Sequence, residues 1–167
     1  MLRTAIVATL MLAAASAANA QSGRISMAAN APPSTVQSPI SNPDLLPQVL
    51  HVYATPDGES HLEVLKVAPG AGNLPLEGLR AISYQPNKVD WHNAPAPQFA
   101  INLSGDLQVE TSDGTKRKIG PGDLVFLEDT KGKGHITRLL GPVTALFIRP
   151  ADGFDIRKWA AGEQKAP

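Results

Sequence analysis

A chain of 167 residues is long enough for one domain and too short for two of ordinary size. It contains no cysteine, which excludes disulfides, thiol nucleophiles and thiolate metal sites and leaves His, Asp, Glu and amide side chains for any chemistry. Its 15 Lys and Arg residues balance 15 Asp and Glu residues, so the sequence lacks the basic excess typical of proteins that bind nucleic acids or anionic membranes.

The first 20 residues have the parts of an export signal. Arg3 provides a basic start, residues 5–15 form an almost unbroken apolar run, and Ala18-Asn19-Ala20 matches the pattern that signal peptidase reads. An uncleaved anchor is the alternative, but the run is shorter than the roughly 20 residues that cross a bilayer. We therefore predict a signal peptide over residues 1–20 and a periplasmic or secreted protein that is not held in a membrane.

Residues 21–43 are rich in Ser, Asn, Ala, Gln and Pro and have no apolar periodicity. This composition predicts a flexible leader. The alternative is that the segment adds a strand to the edge of the folded part. Residues 44–167 are then predicted to form one domain.

From residue 48 onward, short runs of β-forming residues alternate with turn signals such as Thr55-Pro56-Asp57-Gly58 and Ser112-Asp113-Gly114. Turn signals every 8–12 residues favour an all-β sandwich or barrel over a βαβ fold. Residues 68–78 are rich in Pro and Gly and are predicted to form a long loop. A short terminal helix is predicted over 154–160, with Phe154 and Trp159 covering one barrel end. The predicted strands are 49–53, 61–67, 79–84, 98–103, 107–111, 116–119, 124–127, 135–140 and 143–148.

Alternation along one predicted strand indicates a cavity wall. Gln98, Ala100 and Asn102 share one face of the strand. A small residue between two amides is unusual in a packed apolar interior, and buried amides require hydrogen-bond partners. His135 and Thr137 share a face on a later strand and are predicted to form a polar wall opposite. The alternative is that these residues lie on the solvent side of a sheet.

The region from residue 91 to residue 138 resembles the two-motif core of the cupin superfamily. Counting back from Gly105, Gln98 falls on the Glu of the first motif, Ala94 on its second His and His92 on its first His. The phrases around these residues look like a subgroup of small single-domain bacterial cupins. The resemblance implies a jelly-roll barrel, also called a double-stranded β-helix, and a homodimer.

The second motif is matched more loosely. Gly122 stands at its opening Gly, but the position of its His is taken by Lys133, and His135 lies two residues later, as if the loop carried an insertion. In metal-binding cupins, three His and one Glu surround a divalent ion. Here the resemblance implies a weakly held transition metal (Fe, Mn, Ni, Zn or Cu) with His92, Gln98 and His135 as ligands, because the anionic ligand is missing.

Other side chains are candidates for the same pocket. His61 and Glu63 share one face of their strand and could complete the ligand set if that face is internal. The alternative is that they face solvent. His51, in the preceding strand, is predicted to be structural.

Two arginines, a tyrosine and a tryptophan complete the set of candidate site residues. Arg80, Tyr84 and Arg138 are candidates for recognising an anion at the barrel mouth, or else they are surface residues. Trp91, next to His92, is either a lid or a packing residue.

Three functions are compatible with this pattern. The first is a metal-assisted enzyme of the oxygenase, isomerase or lyase type that acts on a small molecule. The second is a metal-free barrel that binds a small ligand in the same cavity. The third is a dimeric interaction module. The first two depend on His92 and His135, whereas the third predicts that replacing these residues with alanine leaves the function unchanged, and the fold alone does not choose among them.

Overall fold

Over residues 46–74 and 76–164, which the computed structural model describes, the chain forms ten strands and one short helix. The predicted signal peptide, residues 1–20, and the predicted leader, residues 21–43, lie outside the described residues. The strands are β1 (Gln48–Ala54), β2 (Ser60–Lys66), β3 (Leu76–Tyr84), β4 (Lys88–His92), β5 (Gln98–Ser104), β6 (Leu107–Thr111), β7 (Lys116–Ile119), β8 (Leu124–Leu127), β9 (His135–Leu139) and β10 (Val143–Pro150), and the helix is α1 (Ile156–Ala160).

The strands form two sheets, in the orders β2-β1-β8-β5-β10-β3 and β4-β9-β6-β7. Successive antiparallel pairs are β3 with β10, β4 with β9, β5 with β8, and β6 with β7. The chain from β3 to β10 is therefore one long antiparallel hairpin, with its tip between β6 and β7, wound so that its pairs alternate between the sheets. This is the jelly-roll arrangement, and the predicted all-β fold with a short C-terminal helix is confirmed.

One strand was missed by the sequence predictions, and several element boundaries differ from them by one to three residues. Strand β4 was not predicted, because Lys88 and Asp90 are poor β-formers and a bulge interrupts its alternation. Strand β3 begins at Leu76, inside the stretch predicted as a loop. Helix α1 begins at Ile156, two residues later than predicted, because the Asp155 side chain caps it by accepting hydrogen bonds from the next turn.

The outer face of the larger sheet carries an apolar cluster. Alternation in β5 and β8 sends Phe99 and Phe126 to this face, where their ring centroids lie 4.6 Å apart. Phe154 and Trp159 pack on Phe99 at 5.6 and 5.8 Å. Phe154 and Trp159 therefore cover the outer face of the larger sheet. The prediction that they cover a barrel end is wrong, because Phe99 points away from the barrel interior.

A second cluster lies between the sheets. Val52 and Val125 of the larger sheet pack with Val109 and Ile119 of the smaller one, and each is at most 4% exposed. This cluster closes part of the barrel interior and leaves the rest as a cavity. Among the described residues, no helix has the length and apolar character needed to span a membrane.

Candidate functional site

A cavity of about 350 Å³ lies between the two sheets. This volume is near the lower end of the range typical of ligand pockets. Much of the wall is apolar and includes Leu107, Leu127, Leu139 and Phe147. Eight of the residues proposed from the sequence also line it, namely Arg80, Tyr84, His92, Gln98, Ala100, Asn102, His135 and Thr137.

The two imidazoles lie in contact within the cavity wall. His92 and His135 are register partners on β4 and β9, and their ring centroids are 4.3 Å apart. The Nδ1 of His92 is 2.8 Å from the carbonyl oxygen of Asp90, and the Nδ1 of His135 is 2.6 Å from Oδ2 of Asp129. Both partners are acceptors, so both Nδ1 atoms donate and Nε2 is the ring nitrogen left for the cavity.

A β-bulge aims His92 into the cavity. Val89 pairs with Thr137 and His92 pairs with His135, so three steps along β4 match two along β9. The extra residue places Val89 and His92 on the same face, which strict alternation would not allow. Trp91 lies within the bulge, is 48% exposed and is absent from the cavity wall, so its assignment to the pocket is wrong.

Asp129 is a site residue that sequence reasoning missed. It is fully buried, it holds His135 through Oδ2, and its Oδ1 has no hydrogen-bond partner among the described residues. The side-chain amide of Asn93 donates to the Asp129 carbonyl oxygen at 2.9 Å, and this hydrogen bond holds the loop that carries Asp129 in place. An acidic residue in a loop after a strand has no periodicity that would reveal it, and only the fold brings it to His135.

A glycine allows the two histidine strands to approach. Gly134 has φ of +69° and a Cβ there would overlap the backbone carbonyl of His92. We expect Gly134→Ala to lower the free energy of unfolding by at least about 3 kcal/mol, through left-handed strain plus this overlap. Gly114→Ala is the matched control, because Gly114 has φ of +86° and open space around its Cβ position. It should cost only about 1–2 kcal/mol in the same urea titration; equal losses would contradict the proposed close approach.

Arg80 reaches into the cavity from β3. Its guanidinium donates to Oε1 of Gln98 at 3.2 Å and lies 5.0 Å from the centroid of the Phe147 ring. Arg80 and Phe147 are register partners, so the cation–π contact holds the charge over the apolar wall. The amide of Asn102 donates to the Gly105 carbonyl at 2.8 Å, while its buried Oδ1 has no partner among the described residues.

His61 and Glu63 lie outside the cavity, so their assignment to the pocket is wrong. Alternation in β2 turns Leu62 toward the cluster between the sheets and therefore turns His61 and Glu63 to the opposite face. Glu63 is 2.8 Å from His51, which is fully buried.

His61 instead pairs with Asp113, with Nδ1 and Oδ2 2.8 Å apart. Burial on its own raises the pKa of Asp113, but hydrogen bonds from the Thr115 backbone, Thr111 and His61 outweigh it and lower this pKa to about 2. Asp113 therefore stays ionised at neutral pH and keeps His61 engaged away from the cavity. Arg138, the third candidate for anion recognition, pairs with Glu110 and is also absent from the cavity wall.

The donor set is a poor one for a tightly held transition metal. No group of three or more His, Cys, Asp and Glu side chains in the described part of the chain is arranged to hold an ion. The oxygen of Gln98 that would serve as third ligand already accepts from Arg80. The Arg80 guanidinium lies beside Gln98, the residue that stands where metal-binding cupins have a carboxylate, and its charge repels a dication. Two imidazoles then remain as donors.

No protein-family model and no curated protein matches the chain. Solved structures similar to it include a DUF861 family protein from Thermotoga maritima, with 28% identity and a TM-score of 0.37, covering 42% of this chain and 77% of that one. A cupin-2 domain protein from Shewanella frigidimarina has 19% identity and a TM-score of 0.36, covering 44% and 69%. A cupin superfamily protein from Desulfitobacterium hafniense has 16% identity and a TM-score of 0.35, covering 48% and 84%. Cupin proteins are thus among the structural neighbours of this chain.

Proposed function

We propose that the barrel binds a small, largely apolar molecule with one anionic group, such as a carboxylate, and that it does so without a metal. The carrying observation is the guanidinium of Arg80 on the wall of an apolar cavity. None of the residues that line the cavity is acidic, and Arg80 has no acidic partner among the described residues. A cation in such a place attracts a ligand that brings the opposite charge.

The rest of the wall supports an apolar body for this ligand. Leu107, Leu127, Leu139 and Phe147 offer no hydrogen bonds, so polar groups placed against this part of the wall would lose their hydration without compensation. The phenol of Tyr84 lines the same cavity as Arg80 and is a second donor for the anionic group. A ligand with a charged head and a hydrocarbon or aromatic body satisfies both regions.

The test compares 3-phenylpropanoate with its uncharged amide by calorimetry. Arg80→Met should weaken binding of the carboxylate by about 10–150-fold, the loss expected for a hydrogen bond to a charged group. Binding of the amide should hardly change. Arg149→Met is the control, because Arg149 lies on the neighbouring strand but pairs with Glu77, and it is absent from the cavity wall. Unchanged carboxylate binding by Arg80→Met would refute the anion site.

A metal-assisted enzyme is the second candidate. It is favoured by the two Nδ1 hydrogen bonds of His92 and His135, because metal-ligating histidines usually have such outer partners. Protein purified without chelators or an affinity tag, and then reconstituted, should be analysed for transition metals. A stoichiometric metal that survives gel filtration would favour the enzyme, and less than about a tenth of an equivalent would end this candidate.

A further inference from the structure

We infer that the ligand carries a hydrogen-bond donor, such as a hydroxyl group, at the end opposite its anionic group, and that Asn102 accepts this hydrogen bond. The inference rests on the proposed anion site at Arg80 and narrows the class of ligand to hydroxylated carboxylates with an apolar middle. It assigns Asn102 as the residue that determines specificity at the second end of the cavity.

Asn102 is a buried amide that uses its nitrogen but not its oxygen. The residue lines the cavity and is 2% exposed. Its Nδ2 donates to the Gly105 carbonyl oxygen at 2.8 Å, and this fixes the orientation of the amide because a carbonyl only accepts. Its Oδ1 is buried and has no partner among the described residues. A buried acceptor of this kind costs free energy until a donor reaches it, so this part of the wall favours a ligand that brings one.

The wall around Asn102 supplies space and no donor. Asn102 shares the cavity face of β5 with Ala100, and its register partner on β10 is Ala145, which also lines the cavity. Both neighbours are alanines, so no long side chain from these positions covers the amide. The other side chains that β6 and β10 contribute to the wall are all apolar, namely Leu107, Val109, Val143 and Phe147.

One strand sets the spacing of the two polar ends. Gln98 and Asn102 lie on the same face of β5, about 13 Å apart at the usual rise of a strand. The Arg80 guanidinium donates to Gln98, so the charged end of the cavity is at the level of Gln98. Hydrogen bonds of about 2.9 Å at each end leave about 7 Å between the polar groups of the ligand. A benzene ring with a short carbon chain spans this length when the hydroxyl group is in the para position.

The experiment measures by calorimetry how the full-length protein binds 3-(4-hydroxyphenyl)propanoate, its 4-fluoro analogue and its 2-hydroxy isomer. Fluorine is close in size to a hydroxyl group but donates no hydrogen bond. The 4-hydroxy compound should bind about 5–30-fold more tightly than the 4-fluoro compound, a gain within the range for satisfying a buried acceptor. The 2-hydroxy isomer places the same donor away from Asn102 and should bind no more tightly than the 4-fluoro compound.

Asn102→Leu removes the acceptor and keeps a similar side-chain volume. In this variant the 4-hydroxy and 4-fluoro compounds should bind within about twofold of each other, because the hydroxyl group has lost its partner. The ratio of the two affinities is compared within one variant, so a general effect of the substitution on the cavity cancels. Arg80→Met should weaken the binding of all the carboxylates and leave this ratio unchanged.

The outcomes separate the two proposals. If Arg80→Met weakens binding but the 4-hydroxy compound has no advantage in the unchanged protein, the donor site is refuted and the anion site stands. Absence of binding of every compound refutes both. An advantage of the 4-hydroxy compound that persists in Asn102→Leu refutes the role of Asn102. If circular dichroism shows that this variant is unfolded, the isomers decide, and equal affinities of the 2-hydroxy and 4-hydroxy compounds refute the inference.

Discussion

Phe126→Ala is expected to lower the free energy of unfolding by about 3–5 kcal/mol, the usual cost of removing a buried aromatic ring. Phe126 is 1% exposed. Its ring centroid lies 4.6 Å from that of Phe99, 5.6 Å from that of Phe154 and 5.8 Å from that of His51. The substitution therefore opens a void between the larger sheet and the segment around α1. Equilibrium urea unfolding measures the loss.

Phe147→Ala is the control for this prediction. Phe147 is only partly buried and lines the existing cavity, so its removal enlarges a space that is already open. Its cost should be less than half that of Phe126→Ala. If both variants lower the free energy of unfolding equally, the outer apolar cluster stabilises the fold less than its burial implies.

Ala100→Phe is expected to abolish ligand binding while the barrel stays folded. Ala100 lies on central strand β5, faces the cavity, and has Val125 and Phe147 as its register partners. A benzyl group at this position would occupy the space proposed for the apolar body of the ligand. Affinity for 3-phenylpropanoate should fall at least about 100-fold, a loss of about 2.8 kcal/mol or more. The melting temperature should stay within a few degrees, because an open cavity accepts added volume better than a packed core does.

Ala81→Phe provides the matched control for the filled cavity. Ala81 is exposed on β3 and pairs with Leu146, and it is absent from the cavity wall. This variant should bind the carboxylate as the unchanged protein does. Retained affinity in Ala100→Phe would place the ligand elsewhere and refute the cavity as the binding site.

Local alternation predicted the cavity wall on β5 because that strand is regular. A period of two places Gln98, Ala100 and Asn102 on one face wherever the strand lies. The same period correctly paired His61 with Glu63, but it could not say which face of β2 is internal. That choice depends on which side chains of β2 meet the smaller sheet, and Leu62 does so.

The amino-acid order by itself determined the all-β class, most of the strands, the short terminal helix and the shared face of Gln98, Ala100 and Asn102, because turn residues and period-two alternation act over a few residues. The tertiary structure decided which residues meet across the barrel. The bulge that turns His92 inward, the contact of Asp129 with His135 and the reach of Arg80 to Gln98 each join separate elements. Such contacts depend on register and winding, which are set when the whole hairpin from β3 to β10 closes and which no local pattern encodes.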